Sequence, residues 1–181
     1  MSVALNILLI LLELWAFKLV ASRKWKNFIF YTQISNVITF LSCIALLIAG
    51  RDAAWFRYLS VCMMTMTGLV TVFILVPMGG DPKKLLWSGN GLYHHVLCPG
   101  INFISYVFFE AHVGYKMIIL PVLATLVYGM VMLYLNWKGK VDGPYPFLRV
   151  HHQSTGATAI WMAALVAMIG VISALVCLVA S

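Results

Sequence analysis

The sequence predicts an all-α polytopic membrane protein, a helical bundle of six transmembrane helices. Three observations predict it. Of 181 residues, 63% are hydrophobic and only 9% charged, against roughly 45–50% and roughly 25% in an ordinary soluble domain. The apolar residues fall in continuous runs, not in the alternation of a transmembrane barrel. The few charges collect in the short segments between those runs. A soluble domain of this length could not bury so much apolar surface. A soluble enzyme and a disordered chain are therefore excluded, and no nucleic-acid partner is expected despite the net charge of +7.

A membrane helix needs about 20 mostly apolar residues, and the qualifying runs lie at roughly 3–21, 27–49, 57–78, 92–109, 115–136 and 157–180. The first run lacks a preceding basic region and a cleavage site, and it carries Glu13 and Lys18, so it reads as a retained helix and not as a signal peptide. The second opens with Tyr31, Thr32, Gln33, Ser35 and Asn36. The third holds Thr65, Thr67 and Thr71, whose hydroxyls are expected to bond their own helix backbone. The fourth opens with Tyr93, His94 and His95, followed by Pro99 and Asn102. Pro99 removes the donor for the His95 carbonyl and should kink the helix. The fifth contains Pro121, and the sixth follows His151, His152, Gln153, Ser154 and Thr155. No intervening loop could hold a second domain, so residues 1–181 read as one.

Nine of the 12 basic residues lie on one side: Lys18, Arg23, Lys24, Lys26, Lys83, Lys84, Lys138, Lys140 and Arg149. Only Arg51, Arg57 and Lys116 lie opposite. The positive-inside rule then puts the three basic loops in the cytoplasm and both termini outside or in a lumen. A bacterial inner membrane and an endoplasmic reticulum both fit. Trp25, Trp55, Trp87 and Trp137 near the span ends suit an aromatic belt. Cys43, Cys62, Cys98 and Cys177 fall inside apolar runs and read as packed thiols, without disulfides.

The polar residues of spans two and four and four of the five histidines share the cytoplasmic face, which suggests a polar pocket there. Thr32 and Asn36, four apart, lie on one helix face. A threonine becomes a nucleophile only beside a base, usually histidine. Thr32 with His94 or His95 is therefore a candidate catalytic pair, and Asn36 and Asn102 are candidate substrate-binding or oxyanion groups. His94 and His95 project about 100° apart on a helix and would not chelate one ion easily. No zinc set stands out and no cofactor is expected. A haem held by one histidine from each pair remains an alternative, as does a transporter or lipid-binding protein using the pocket without chemistry.

Three segments carry a resemblance: Phe30-Tyr31-Thr32-Gln33-Ile34-Ser35-Asn36, His94-His95-Val96-Leu97-Cys98-Pro99, and Tyr145-Pro146-Phe147-Leu148. In this order, on six spans, the chain resembles the androgen-induced and androgen-dependent membrane hydrolase family and its bacterial integral-membrane relatives. The Ser35-Asn36 pair looks more like the bacterial branch. The resemblance implies a threonine hydrolase of fatty acid esters of hydroxy fatty acids, acting on a membrane lipid or fatty acid ester. It places the nucleophile on Thr32 and the base on His94, or on His95 by the bacterial spacing.

Overall fold

A computed structural model describes residues 1–20 and 28–180. The expected basic loop of Arg23, Lys24 and Lys26 lies outside the described residues. Those described are almost wholly helical, with no strand among them. Helix α1 covers Ser2–Val20, α2 Tyr31–Ala49 and α3 Ala54–Val70. A short α4 (Gly89–Leu92) leads through a π-helical turn, Tyr93–Leu97, into α5 (Cys98–Phe109). Helices α6 (Ile119–Trp137) and α7 (Thr155–Ala180) follow. Among the described residues four helical stretches are long and apolar enough to cross a membrane: Ser2–Leu19, Tyr31–Leu75, Tyr115–Trp137 and Thr155–Ala180.

The longest stretch folds back on itself. Gly50, with φ of 56°, opens a single 3-10 turn, Gly50–Ala53, between α2 and α3. A glycine adopts that left-handed backbone at little cost. Hydroxyl pairs then join the two helices in antiparallel register: Ser35 to Thr67 at 2.9 Å and Thr39 to Ser60 at 2.8 Å. The Arg57 Nη1 donates to Ser42 at 3.1 Å. Helix α3 is the hub, packed against α2, α5, α6 and α7. Its Val61, Cys62, Met63 and Met66 meet Ile169, Ile172 and Val176 of α7 in the main apolar core. The Tyr58 hydroxyl ties the two helices by donating to the Ser173 carbonyl at 2.8 Å.

Outer faces remain apolar. Leu8, Leu11 and Trp15 of α1, Leu123, Val127 and Met130 of α6, and Val171 and Leu175 of α7 are exposed. Such surface is unfavourable in water and suits hydrocarbon. All four cysteines are buried and free, as expected. The proline in the first turn of α5 follows the π-helical turn, and the His95 carbonyl packs against Gly68 of α3. A Cβ at Gly68 would lie 3.3 Å from that oxygen.

One charge departs from the expected surface placement. Arg57 is completely buried in α3 and forms a fork with Glu110, Nε to Oε2 at 2.8 Å and Nη2 to Oε1 at 2.9 Å. Ser105 and Asn6 donate to Glu110 Oε1 at 2.6 and 2.9 Å. The sequence places Arg57 at the outer end of the third span, but a guanidinium with a bidentate carboxylate can sit inside the bundle. Burial alone would raise the Glu110 carboxyl. The bonds and charge of Arg57, with Ser105 and Asn6, outweigh it and hold the group below its ordinary 4.5. A carboxyl depressed in the folded state stabilises fully above its unfolded value and loses that contribution as pH falls through the folded one. Thermal midpoints in detergent should therefore drop as pH falls below 4.5, and Glu110→Gln should remove this sensitivity. At neutral pH Glu110→Gln should cost about 3–5 kcal/mol, whereas the double change Arg57→Met, Glu110→Leu should recover most of it.

Candidate functional site

Thr32 sits in the first turn of α2 and faces the end of the bundle that carries Lys83, Lys84, Lys138 and Lys140. Its Oγ1 and its backbone N–H both lie 3.3 Å from the Tyr145 hydroxyl. Tyr145 reaches it because the segment after α6 is pinned from below. The Asn136 Nδ2 donates to the Val141 carbonyl, its Oδ1 accepts from the Val150 N–H, and its carbonyl accepts from His151 Nε2. Stacking of Tyr145 on Phe147, centroids 5.2 Å apart, fixes the ring. Burial pushes the Tyr145 phenol above its ordinary value, against its bonds to Thr32. At neutral pH it is a neutral hydroxyl, not a phenolate base.

Thr32 and Tyr145 lie on the wall of a narrow cleft of about 40 Å³ between α2, α3, α6, α7 and the segment around Tyr145. The lining is rich in hydroxyls: Tyr31, Thr32, Thr67, Thr71, Thr125, Tyr128 and Tyr145. The rest is apolar, with Met66, Val70, Leu75, Phe147, Leu148 and Leu165. Tyr31 and Thr125 bond across it at 2.8 Å. Met162 of α7 rests its Cε over Gly129 of α6, where no side chain intervenes.

The sequence-proposed histidines do not reach this cleft. Gln33, one residue on and about 100° around the helix from Thr32, donates to His94 Nδ1 at 3.0 Å. Asn90 donates to the same nitrogen at 3.0 Å. The remaining nitrogen, Nε2, faces Glu13 of α1 at 3.6 Å, with Phe17 beside the ring. His95 instead holds the preceding loop, its Nδ1 bonding the Leu85 carbonyl at 2.7 Å. Among the described residues no hydrogen bond joins Thr32 to either histidine.

Asn36 and Asn102 are both buried, with their amide nitrogens engaged elsewhere. Asn36 Nδ2 donates to the Thr32 carbonyl at 2.6 Å and Asn102 Nδ2 to Ser60 at 3.0 Å. Neither lines the cleft. Thr67 and Thr71 bond backbone one turn earlier, as expected of membrane hydroxyls, whereas the Thr65 hydroxyl, expected to do the same, has no hydrogen-bond partner among the described residues. His152 is exposed. No group of three or more His, Cys, Asp or Glu side chains among the described residues is arranged to hold a metal ion.

Sequence reasoning missed Gln33 as the partner of His94 and Tyr145 as the partner of Thr32. Tyr145 lies 113 positions from Thr32, so no local spacing could join them. Gln33 could have been found from its place among the polar residues that open span two. Comparison with protein families, with curated proteins and with solved structures finds no match.

Tyr145→Phe should remove the buried hydroxyl that both Thr32 groups share. The expected cost is about 1–3 kcal/mol, read as a lower thermal midpoint in detergent. An unchanged midpoint would show that Thr32 and Tyr145 are not bonded in the folded protein.

Proposed function

We propose that this chain is a six-span membrane protein that binds one acyl chain of a membrane lipid in the cleft, with the polar end of that lipid at Thr32 and Tyr145. The observation that carries the reading is the mixed lining, in which hydroxyls stand among aliphatic and aromatic side chains. A lining of this kind favours an amphiphile over a sugar or an ion, and at about 40 Å³ the cleft has to widen to admit an acyl chain. Six passes follow if the α2–α3 hairpin counts twice and the helical run of residues 89–109 counts as one more. The cleft then lies toward the cytoplasm, beside Lys83, Lys84, Lys138 and Lys140, and the termini lie outside or in a lumen. That topology fits a bacterial inner membrane or an endoplasmic reticulum.

Ester hydrolysis is a second reading, favoured by the position of the Thr32 hydroxyl on the cleft wall itself. In it, Thr32 Oγ1 attacks the ester carbonyl while a base takes its proton. The alcohol leaves with a proton, and water then cleaves the acyl-threonine to return the free acid and the hydroxyl. His94 is the proposed base, and the step requires it to exchange Gln33 for Thr32, since hydrogen bonds in an unliganded site often tighten only around substrate.

Two measurements separate the readings. Gly129→Trp should fill the cleft and abolish crosslinking by a photoactivatable fatty acid in vesicles, while Thr32→Ala retains it; equal labelling of wild type and Gly129→Trp contradicts acyl binding there. A fluorophosphonate probe should label wild type and not Thr32→Ala if hydrolysis occurs, and equal labelling of both removes Thr32 as nucleophile.

A further inference from the structure

Two carboxylates are buried in this bundle, and they are built in opposite ways. Glu110 receives four donors, two from Arg57 and one each from Ser105 and Asn6. That arrangement suits a permanent negative charge. The Glu13 side chain is also fully enclosed, yet neither of its oxygens accepts a hydrogen bond from an N–H or O–H group, and its hydrogen-bonding neighbour is the weak S–H donor of Cys98. Among the described residues no Lys or Arg lies within salt-bridge distance of it. Lys18, the nearest base on α1, is at the surface over the Trp15 ring at 5.5 Å. An isolated carboxylate in such a place is strongly disfavoured, and a proton relieves it.

The group facing Glu13 is suited to exchange that proton. Gln33 and Asn90 both present amide N–H groups to His94 Nδ1. The nitrogen is therefore an acceptor, and the neutral ring carries its proton on Nε2. That nitrogen has no hydrogen-bond partner and lies 3.6 Å from Glu13 Oε2. The separation is too long for an ordinary hydrogen bond and short enough for strong coupling away from water. Asn90 Oδ1 is also buried without a partner. Turning that amide over would offer an acceptor to a protonated Nδ1. The other titratable side chains near the pair are Cys98 of α5, Cys43 of α2 and the adjacent His95.

We propose that Glu13 and His94 form an intramembrane proton-binding centre that holds one exchangeable proton between them. Uptake from hydronium forms one O–H or N–H bond on the pair and releases water. The pair passes from a net charge of minus one to neutral and titrates as a unit. The centre does not depend on what the cleft holds.

The test uses the full chain reconstituted in lipid vesicles, with infrared difference spectra recorded across a pH series. Wild type should show a protonated-carboxyl C=O band that titrates. Glu13→Gln should lose it, the exposed-site change Asp52→Asn should keep it, and His94→Gln should move its midpoint by about one to three pH units. Nitrogen NMR of histidine-labelled wild type, with the His94 signal identified by its loss in His94→Gln, should follow the same midpoint. This readout stands even if Glu13→Gln fails to fold. The proposal is overturned by a band that survives Glu13→Gln, by a midpoint unmoved in His94→Gln, or by a His94 signal that stays in one neutral form across the carboxyl titration.

Discussion

Hydrocarbon supplies no hydrogen-bond partners, so each polar group inside this bundle must find one within the protein. The fold meets much of this requirement with a seam along α2, although among the described residues Asn36 Oδ1 and Asn102 Oδ1 on it stay without a partner. It starts at Tyr145 and Thr32, passes through the Thr32 carbonyl to Ser35 and Thr67, and continues by Thr39 to Ser60 and Asn102. Ser42 then links it to Arg57 and Glu110 at the opposite end. Each interhelical bond in such a setting contributes about 0.6 kcal/mol on average. The seam's larger effect is on geometry, because it fixes the rotation and register of α2 against α3 and α5.

That rotation decides the chemistry on either side. With Ser35 and Thr39 turned to α3, Thr32 meets Tyr145 and the cleft, while Gln33 meets His94. Two neighbouring residues thus serve two separate environments. One is a narrow cleft lined by hydroxyls and apolar side chains. The other is tight and holds a carboxylic acid against an imidazole. The contrast between Glu110 and Glu13 follows the same logic: both side chains are enclosed, and the number of donors supplied decides whether charge is kept or a proton is taken.

Much of this was legible in the sequence. Composition and continuous apolar runs forecast an all-helical chain with long apolar helices. The polar opening of the second span announced a site around Thr32. What could not be read was pairing over long separations. The Arg57–Glu110 fork, the Thr32–Tyr145 contact and the approach of Glu13 to His94 all depend on how α1, α2 and α5 rotate about their axes. Sequence spacing sets faces within one helix and leaves the angle between helices open. Arg57 shows the consequence: counted by position it is a span-end charge on the outer side, and only its distant carboxylate partner makes burial tolerable.

An experimental structure of the chain in a lipid nanodisc, at a resolution that shows side chains, bears most directly on this account. It should place Thr32 against Tyr145, with acyl density running from that pair into the cleft, and Gln33 against His94. A structure with Thr32 turned to His94, or with the cleft closed and lipid absent from it, would contradict it.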